Sequence, residues 1–262
     1  MIKKITRQLA FDRDLVLADA RKEIARRLEQ PARRSFLRRS LTLGGLSLLS
    51  GCAITDENSV ETALMQVSRF NDKVQGWLFD STRLAPTYPD SMITRPFPFN
   101  AYYGEDEIRE IEEEGYRLEV TGLVADKRTW TLAELRAMPQ TDQVTRHICV
   151  EGWSAIGKWG GVPFADFLRR VGADLSAKYV GFKCADDYYT SIDMPTALHP
   201  QTLLTLTYDS QPLPPRYGFP MKLRMPTKLG YKNPKHIQAI FVTNTYPGGY
   251  WEDQGYNWFG GS

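Results

Sequence analysis

The sequence predicts an α+β fold, a mixed sheet with short helices rather than a doubly wound sheet. Three observations carry that prediction. Six strand-like runs recur between residues 116 and 242, and the helical stretches among them are one or two turns long. The composition, 42% hydrophobic and 24% charged, is that of a folded globular chain and not of a disordered or fibrous one. No apolar run approaches the ~18 residues of a spanning helix, and neither an internal repeat nor a low-complexity tract is present.

Charge divides the chain before its elements do. Residues 1–51 hold 12 Lys+Arg against 5 Asp+Glu, whereas the remainder holds 21 basic and 26 acidic residues. A basic head on a mildly acidic body implies a targeting segment and no nucleic-acid partner, because a binder's folded part would itself carry the basic surface. Arg33-Arg34-Ser35-Phe36-Leu37-Arg38 supplies a twin arginine, Leu41-Thr42-Leu43-Gly44-Gly45-Leu46-Ser47-Leu48-Leu49 a short apolar core, and Ser50-Gly51 a small-residue box. This is the order of a bacterial export signal, and the chain is expected in the periplasm. Leu49-Ser50-Gly51-Cys52 also resembles a lipobox, so Cys52 is either acylated or part of an ordinary cleavage region; membrane contact is expected only through that anchor. The twin-arginine route carries folded proteins, many of them loaded with a cofactor beforehand.

Three segments follow from this: 1–51 as export signal, 52–99 as an N-terminal helix and linker, and 100–262 as the functional domain. Leu64, Val67, Phe70, Val74, Trp77 and Leu78 recur at helical spacing, which predicts one amphipathic helix over 60–79. Residues 81–98 are proline-rich and read as a connection hugging the body. Acidic residues crowd 105–114, a solvated turn or short helix. Alternation from Tyr116 to Val120 predicts a strand, Thr131 caps a short helix stopped by Pro139, and 143–150 reads as a strand delivering Cys149 at its end. A short helix is predicted over 163–171, with further strands at 179–182, 203–207, 221–225 and 237–242.

The cysteines number three, Cys52, Cys149 and Cys184, which excludes a disulfide-stapled scaffold; no CxxC, haem-attachment or zinc-type spacing occurs. Cys149 lies in Arg146-His147-Ile148-Cys149-Val150-Glu151-Gly152-Trp153-Ser154. Arg146 and His147 beside it are expected to lower its pKa and favour a thiolate, suited to a soft metal or to nucleophilic chemistry. A free cysteine is also commonly inert core.

Arg146-x-x-Cys149-Val-Glu-Gly-Trp-Ser154, followed by Trp159-Gly-Gly-Val-Pro163, resembles the molybdenum-ligand loop of the sulfite oxidase family of molybdopterin oxidoreductases. It is most similar to the bacterial periplasmic branch that includes the methionine sulfoxide reductase catalytic subunit. Leu213-Pro214-Pro215-Arg216-Tyr217-Gly218-Phe219-Pro220 and the stretch from Lys222 to Lys235 continue the likeness, which covers residues 100–242. The resemblance implies molybdenum on a single pterin dithiolene (molybdenum–molybdopterin), with Cys149 as the sole protein ligand to the metal. It places Asn100, Tyr103 and Gly104 at the family's first pterin contacts, and Asn233, Pro234 and Lys235 at the last. Cys184 stands where relatives have threonine, Lys222 where they have arginine, and Tyr217 where they have asparagine. Lys222, Arg224, Lys228, Lys232, Lys235 and His236 form a basic stretch able to receive the cofactor's phosphate.

Sulfite-oxidising members neutralise a dianion with arginines, one just after the ligand cysteine. Here Glu151 and Trp153 occupy that lip, so reduction of a small-molecule S-oxide or N-oxide is the expected chemistry, with Cys149 and Glu151 as catalytic residues. Tyr188, Tyr189 and His199 are either pocket or structural residues. No haem or iron–sulfur ligand set exists in the chain, so electrons are expected from a membrane cytochrome partner. The aromatic, glycine-rich tail either covers the cofactor cleft, docks a partner or packs on the body. Two other readings compete: a cofactor-free exported binding or scaffold lipoprotein, and a cysteine hydrolase pairing Cys149 with His147 or His236.

Overall fold

The computed structural model describes residues 57–262, so the export segment and Cys52 lie outside the described residues. The chain divides into two compact units, Met1–Ala63 and Leu64–Ser262. Of the first, only the opening of helix α1 (Glu57–Leu78) is described.

Within the second unit, α1 reverses the usual use of an amphipathic helix. Its contacts with the body come from its polar and small side: an Asp72 carboxylate oxygen accepts from the Phe259 N–H at 2.9 Å, and Gly76 faces the Phe259 ring. Of the apolar stripe, Leu64, Val67, Phe70, Trp77 and Leu78 are exposed instead and Val74 is half-buried. Residues 81–98 then run along the body, where the Tyr88 N–H donates to the Val144 carbonyl and the Thr94 N–H to the Ile156 carbonyl.

Two sheets follow. The first comprises β1 (Leu118–Gly122), β2 (Thr129–Trp130), β5 (Tyr179–Cys184), β6 (Tyr189–Asp193) and β10 (Ile237–Thr243), in the order β2-β1-β10-β5-β6. Only the β1–β10 pair is parallel, so this sheet is mixed. The second is antiparallel and runs β3 (Thr141–Ile148), β4 (Ser154–Pro163), β7 (Leu203–Tyr208) and β8 (Gln211–Pro212), with β9 (Lys222–Arg224) also on β7. Three short helices fill the gaps: α2 (Leu132–Ala137), α3 (Phe164–Arg170) and α4 (Met194–Ala197). Helix α2 starts with a capping box, Thr131 and Glu134 each holding the other's backbone N–H. Leu118, Phe182, Ile240, Val162, Leu204 and Phe167 meet in one core, which joins both sheets to α3. A smaller aromatic cluster of Phe97, Trp159 and Tyr217 packs the far end of the second sheet.

The six predicted strands all appear, most with ends moved by one or two residues. The longest strand, β4, escapes sequence reading because Gly157, Gly160 and Gly161 break its alternation. Its glycines permit close approach: a Cβ at Gly161 would run into the Leu204 carbonyl of β7.

Candidate active site

The site begins with the pleat of β3. Its inward side chains, Gln143, Thr145 and His147, are polar and buried, and Cys149 is next in that series, one residue past the strand. Cys149 opens the hairpin loop to β4. Its N–H donates to the Trp153 carbonyl (2.9 Å) and its carbonyl accepts from the Gly152 N–H (3.1 Å). Gly152 sits at φ +92°, a conformation that favours glycine.

The Cys149 thiol lies 3.6 Å from a Glu151 carboxylate oxygen, and the same oxygen accepts from Trp153 Nε1 at 2.9 Å. The expectation that Arg146 and His147 depress the thiol pKa is corrected here. Burial, reinforced by the Glu151 charge, pushes it up. Arg146 turns outward over the Tyr88 ring, and His147 is kept neutral by burial and by the surrounding Lys222, Arg224 and Lys235.

A pocket opens at Cys149. Val150 and Glu151 line one side with Asn100 and Tyr103, and Gly230, Asn233, Pro234 and Lys235 line another. Asn100 Nδ2 is 3.3 Å from His147 Nε2. Gly230 keeps this floor open, because a Cβ there would stand 2.7 Å from His147 Nε2 and 3.3 Å from Asn100 Nδ2. The outer wall is aromatic and acidic. It holds Asp186 and Tyr188 from the β5–β6 turn, Tyr231, and Trp251 and Tyr256 from the tail. Tyr103 donates to an Asp186 carboxylate oxygen (3.1 Å) and Tyr102 to the Asp186 carbonyl.

Behind the pocket sits buried positive charge. Lys222 and Arg224 are both almost fully buried, and Lys222 Nζ lies 4.8 Å from the centre of the Trp159 ring. Arg224 donates to the Arg146 carbonyl (2.6 Å), Thr145 Oγ1 and Asn233 Oδ1, while its Nε has no partner. Burial pushes the Lys222 pKa well down, and the neighbours acting on it, Lys235 and Arg224, are cations that push it further. Lys235 is lowered to about 8, chiefly by burial, with Asp186 opposing. His236 Nε2 and His147 Nδ1 are likewise buried without partners. A protein interior does not leave such charge uncompensated without cost, so the cluster is built to meet an anion.

The sequence-derived residues therefore fall into groups. Asn100, Tyr103, Cys149, Glu151, Asn233, Pro234 and Lys235 line the pocket, and Lys222 stands behind it. Gly104 starts an exposed turn beside it, and Cys184 is buried at the end of β5. Tyr217 sits in the aromatic cluster, its hydroxyl donating to the Phe97 carbonyl at 2.8 Å. Lys228 and Lys232 are engaged elsewhere: Lys228 donates to the Phe259 carbonyl, and Lys232 pairs with Glu252. Tyr188 lines the pocket; Tyr189 bonds Asp253 and His199 bonds the Arg83 carbonyl. Asp186, Tyr231, Trp251 and Tyr256 were not singled out by sequence, where only the aromatic richness of the tail pointed toward the last two.

Comparison with known proteins identifies this arrangement. Residues 105–251 match the oxidoreductase molybdopterin binding domain. A candidate protein-methionine-sulfoxide reductase subunit, YedZ1, from Azospira oryzae is 74% identical over the whole of both chains. A protein-methionine-sulfoxide reductase catalytic subunit, MsrP, from Ralstonia nicotianae is 32% identical over 55% of this chain and 49% of its own, so the chain matches about half the length of that relative. The sulfane dehydrogenase SoxCD of Paracoccus pantotrophus shares the fold, with a TM-score of 0.50 at 19% identity over 53% of this chain and 40% of that one. The chain belongs to the oxidoreductase molybdopterin-binding domain family and is a molybdenum–pterin oxidoreductase with the sulfite-oxidase-type fold.

Proposed function

We propose that this protein is an exported enzyme that reduces an S-oxide, with N-oxides as related substrates, on one pterin-bound molybdenum held through Cys149. The residues present fit such a group. Lys222, Arg224 and Lys235 form a buried cation cluster in which only Lys235 has a carboxylate, Asp186, acting on it, which suits it to a terminal phosphate. Asn100, Tyr103, Asn233 and the backbone of the turn Gly230–Lys232 border the same space. The cofactor, when bound, supplies the two-electron exchange that accepts the substrate's oxygen atom.

One observation carries the choice of substrate: the pocket mouth is acidic and aromatic. Glu151 stands 3.6 Å from Cys149 Sγ, fixed by Trp153, with Asp186, Tyr188, Trp251 and Tyr256 around it and Lys235 as the single cation of the lining. A small dianion such as sulfite is repelled there. A neutral, dipolar S-oxide is tolerated, and thioether groups pack well against aromatic rings. The name of the Ralstonia relative supports the same substrate class. In balance, the sulfur–oxygen bond breaks, the sulfoxide takes two electrons and two protons, and thioether and water leave. A membrane cytochrome is the proposed electron donor. The twin arginine at Arg33-Arg34 supports a periplasmic location, with a lipid anchor if Cys52 is acylated.

The test is elemental analysis and turnover on protein from a host that makes the pterin cofactor. Near-stoichiometric molybdenum, lost in Cys149→Ala, together with viologen-driven reduction of methionine sulfoxide and no sulfite oxidation, is the expected result. Sulfite oxidation matching sulfoxide turnover would overturn the substrate assignment. Wild-type protein without molybdenum would favour the cofactor-free binding protein.

A further inference from the structure

The exposed stripe of α1 has no use in the site. Between Leu64 and Leu78 the helix packs on the body through Asp72 and Gly76, and the next residue, Phe79, meets the Phe259 ring edge-on at 5.5 Å. Leu64, Val67, Phe70, Trp77 and Leu78 line up at helical spacing on another side, and all are exposed, Trp77 at 82% and Phe70 at 63%. Single exposed apolar residues are ordinary, but five on one side of a helix, around a half-buried Val74, mark a contact surface.

We infer that this stripe seats α1 flat on the anionic surface of a phospholipid bilayer. Four features favour that occupant. The stripe combines bulky aliphatic residues with Phe70 and Trp77, and exposed Lys73 borders it three residues after Phe70 and four before Trp77, the pattern of an interfacial helix, while Arg69 lies on the body side with Asp72 and Gly76. The helix is long enough to span a bilayer but too polar to do so, which leaves the interface as the place where its apolar side can meet lipid. Its carboxylate in this segment, Asp72, is turned inward to the Phe259 N–H, which leaves Lys73 as the charge beside the stripe. Leu64 follows Cys52, the residue of the lipobox-like sequence, by only twelve positions. A second copy of the chain is the weaker occupant, because the five side chains offer roughly 600 Å², short of the ~800 Å² per partner of a stable dimer. The inference rests on the export reading only in that the protein must meet a bilayer at all, and it adds membrane contact beyond any lipid anchor.

The experiment uses the full-length holoenzyme with vesicles of phosphatidylethanolamine and phosphatidylglycerol, read by co-sedimentation and by hydrogen exchange. Amide protection confined to residues 64–78 on adding vesicles is expected. So is a partition at least tenfold weaker for the variant Leu64→Ser, Val67→Ser, Phe70→Ser, Trp77→Ser, with molybdenum content unchanged as the control for folding. Unchanged partition in the variant, meaning that residues 1–51 do the binding, overturns the inference. Protection of residues 64–78 without vesicles also overturns it: dependent on protein concentration it assigns the stripe to a second copy, and independent of concentration to the chain's own N-terminal segment. Sulfoxide turnover with a soluble donor is assayed separately, so failure of the enzymatic reading leaves the vesicle result standing.

Discussion

Lys222, Arg224 and Lys235 differ from Lys228 and Lys232 in a way that neither residue type nor burial reveals. All five lie within fourteen residues of one another in sequence and all are buried. Lys232 is met by Glu252 and by the Ser191 carbonyl at 2.7 Å, and Lys228 by the Phe259 carbonyl at 2.8 Å and the Phe259 ring. Lys222 meets an aromatic ring and two other cations. The first pair is structure, tying the C-terminal tail to the body. In the second set Arg224 has three oxygen acceptors and Lys235 has the Arg216 carbonyl with Asp186 acting on it, but Lys222 is a charge the fold holds without balancing, which is the signature of a site awaiting an anionic ligand.

The largest way to break this comparison is on the structural side. Lys232→Met strands Glu252 as a buried carboxylate whose second oxygen already lacks a partner. Removing one partner of a buried pair costs about 3–5 kcal/mol. Denaturant unfolding of the cofactor-free protein is expected to show a loss of that size, with much of it recovered in Lys232→Met/Glu252→Gln. A loss below about 1 kcal/mol would mean that the pair is as weak as a surface one.

The sequence could not make this division. It exposes the basic stretch from Lys222 to His236, and family likeness ties it to phosphate, but the acceptors of Lys228 and Lys232 come from Phe259 and Glu252, some twenty to thirty residues away. The strands and the Cys149 loop were legible because they rest on local alternation and a local turn. Trp251 and Tyr256 were hidden for the opposite reason: a tail without periodicity gives no sign of where it packs. The Cys149 pKa failed likewise. Arg146 and His147 are neighbours in sequence, yet one turns outward and the other is buried as a neutral imidazole. The helix spacing of 60–79 was correct as a period, but period alone does not say which side meets the body.

On the ligand side the sign reverses. Lys222→Met removes a buried charge that burial and two neighbouring cations disfavour. The cofactor-free variant is therefore expected to gain about 1–2 kcal/mol over wild type in denaturant unfolding. The same variant, made in a cofactor-producing host, should retain clearly less pterin. Equal pterin retention in variant and wild type would remove Lys222 from the anion site.

The smallest effect tests how well Lys228 is matched, by pH. Burial lowers Lys228 to about 7, while the unfolded chain keeps the ordinary lysine value near 10.5. Below pH 7 both states are protonated and the full cost of the buried charge is present. Above pH 7 the folded state sheds the proton while the unfolded state keeps it, so stability rises with pH until the unfolded lysine titrates. Between pH 7 and 8 this amounts to about 1 kcal/mol. Thermal melts of cofactor-free wild type and Lys228→Met at both pH values isolate it, since every other titrating group is common to the two. Wild type should gain that much more than the variant. An identical gain in both would show that the Phe259 carbonyl and ring hold Lys228 charged, and that its burial is matched as fully as that of Lys232.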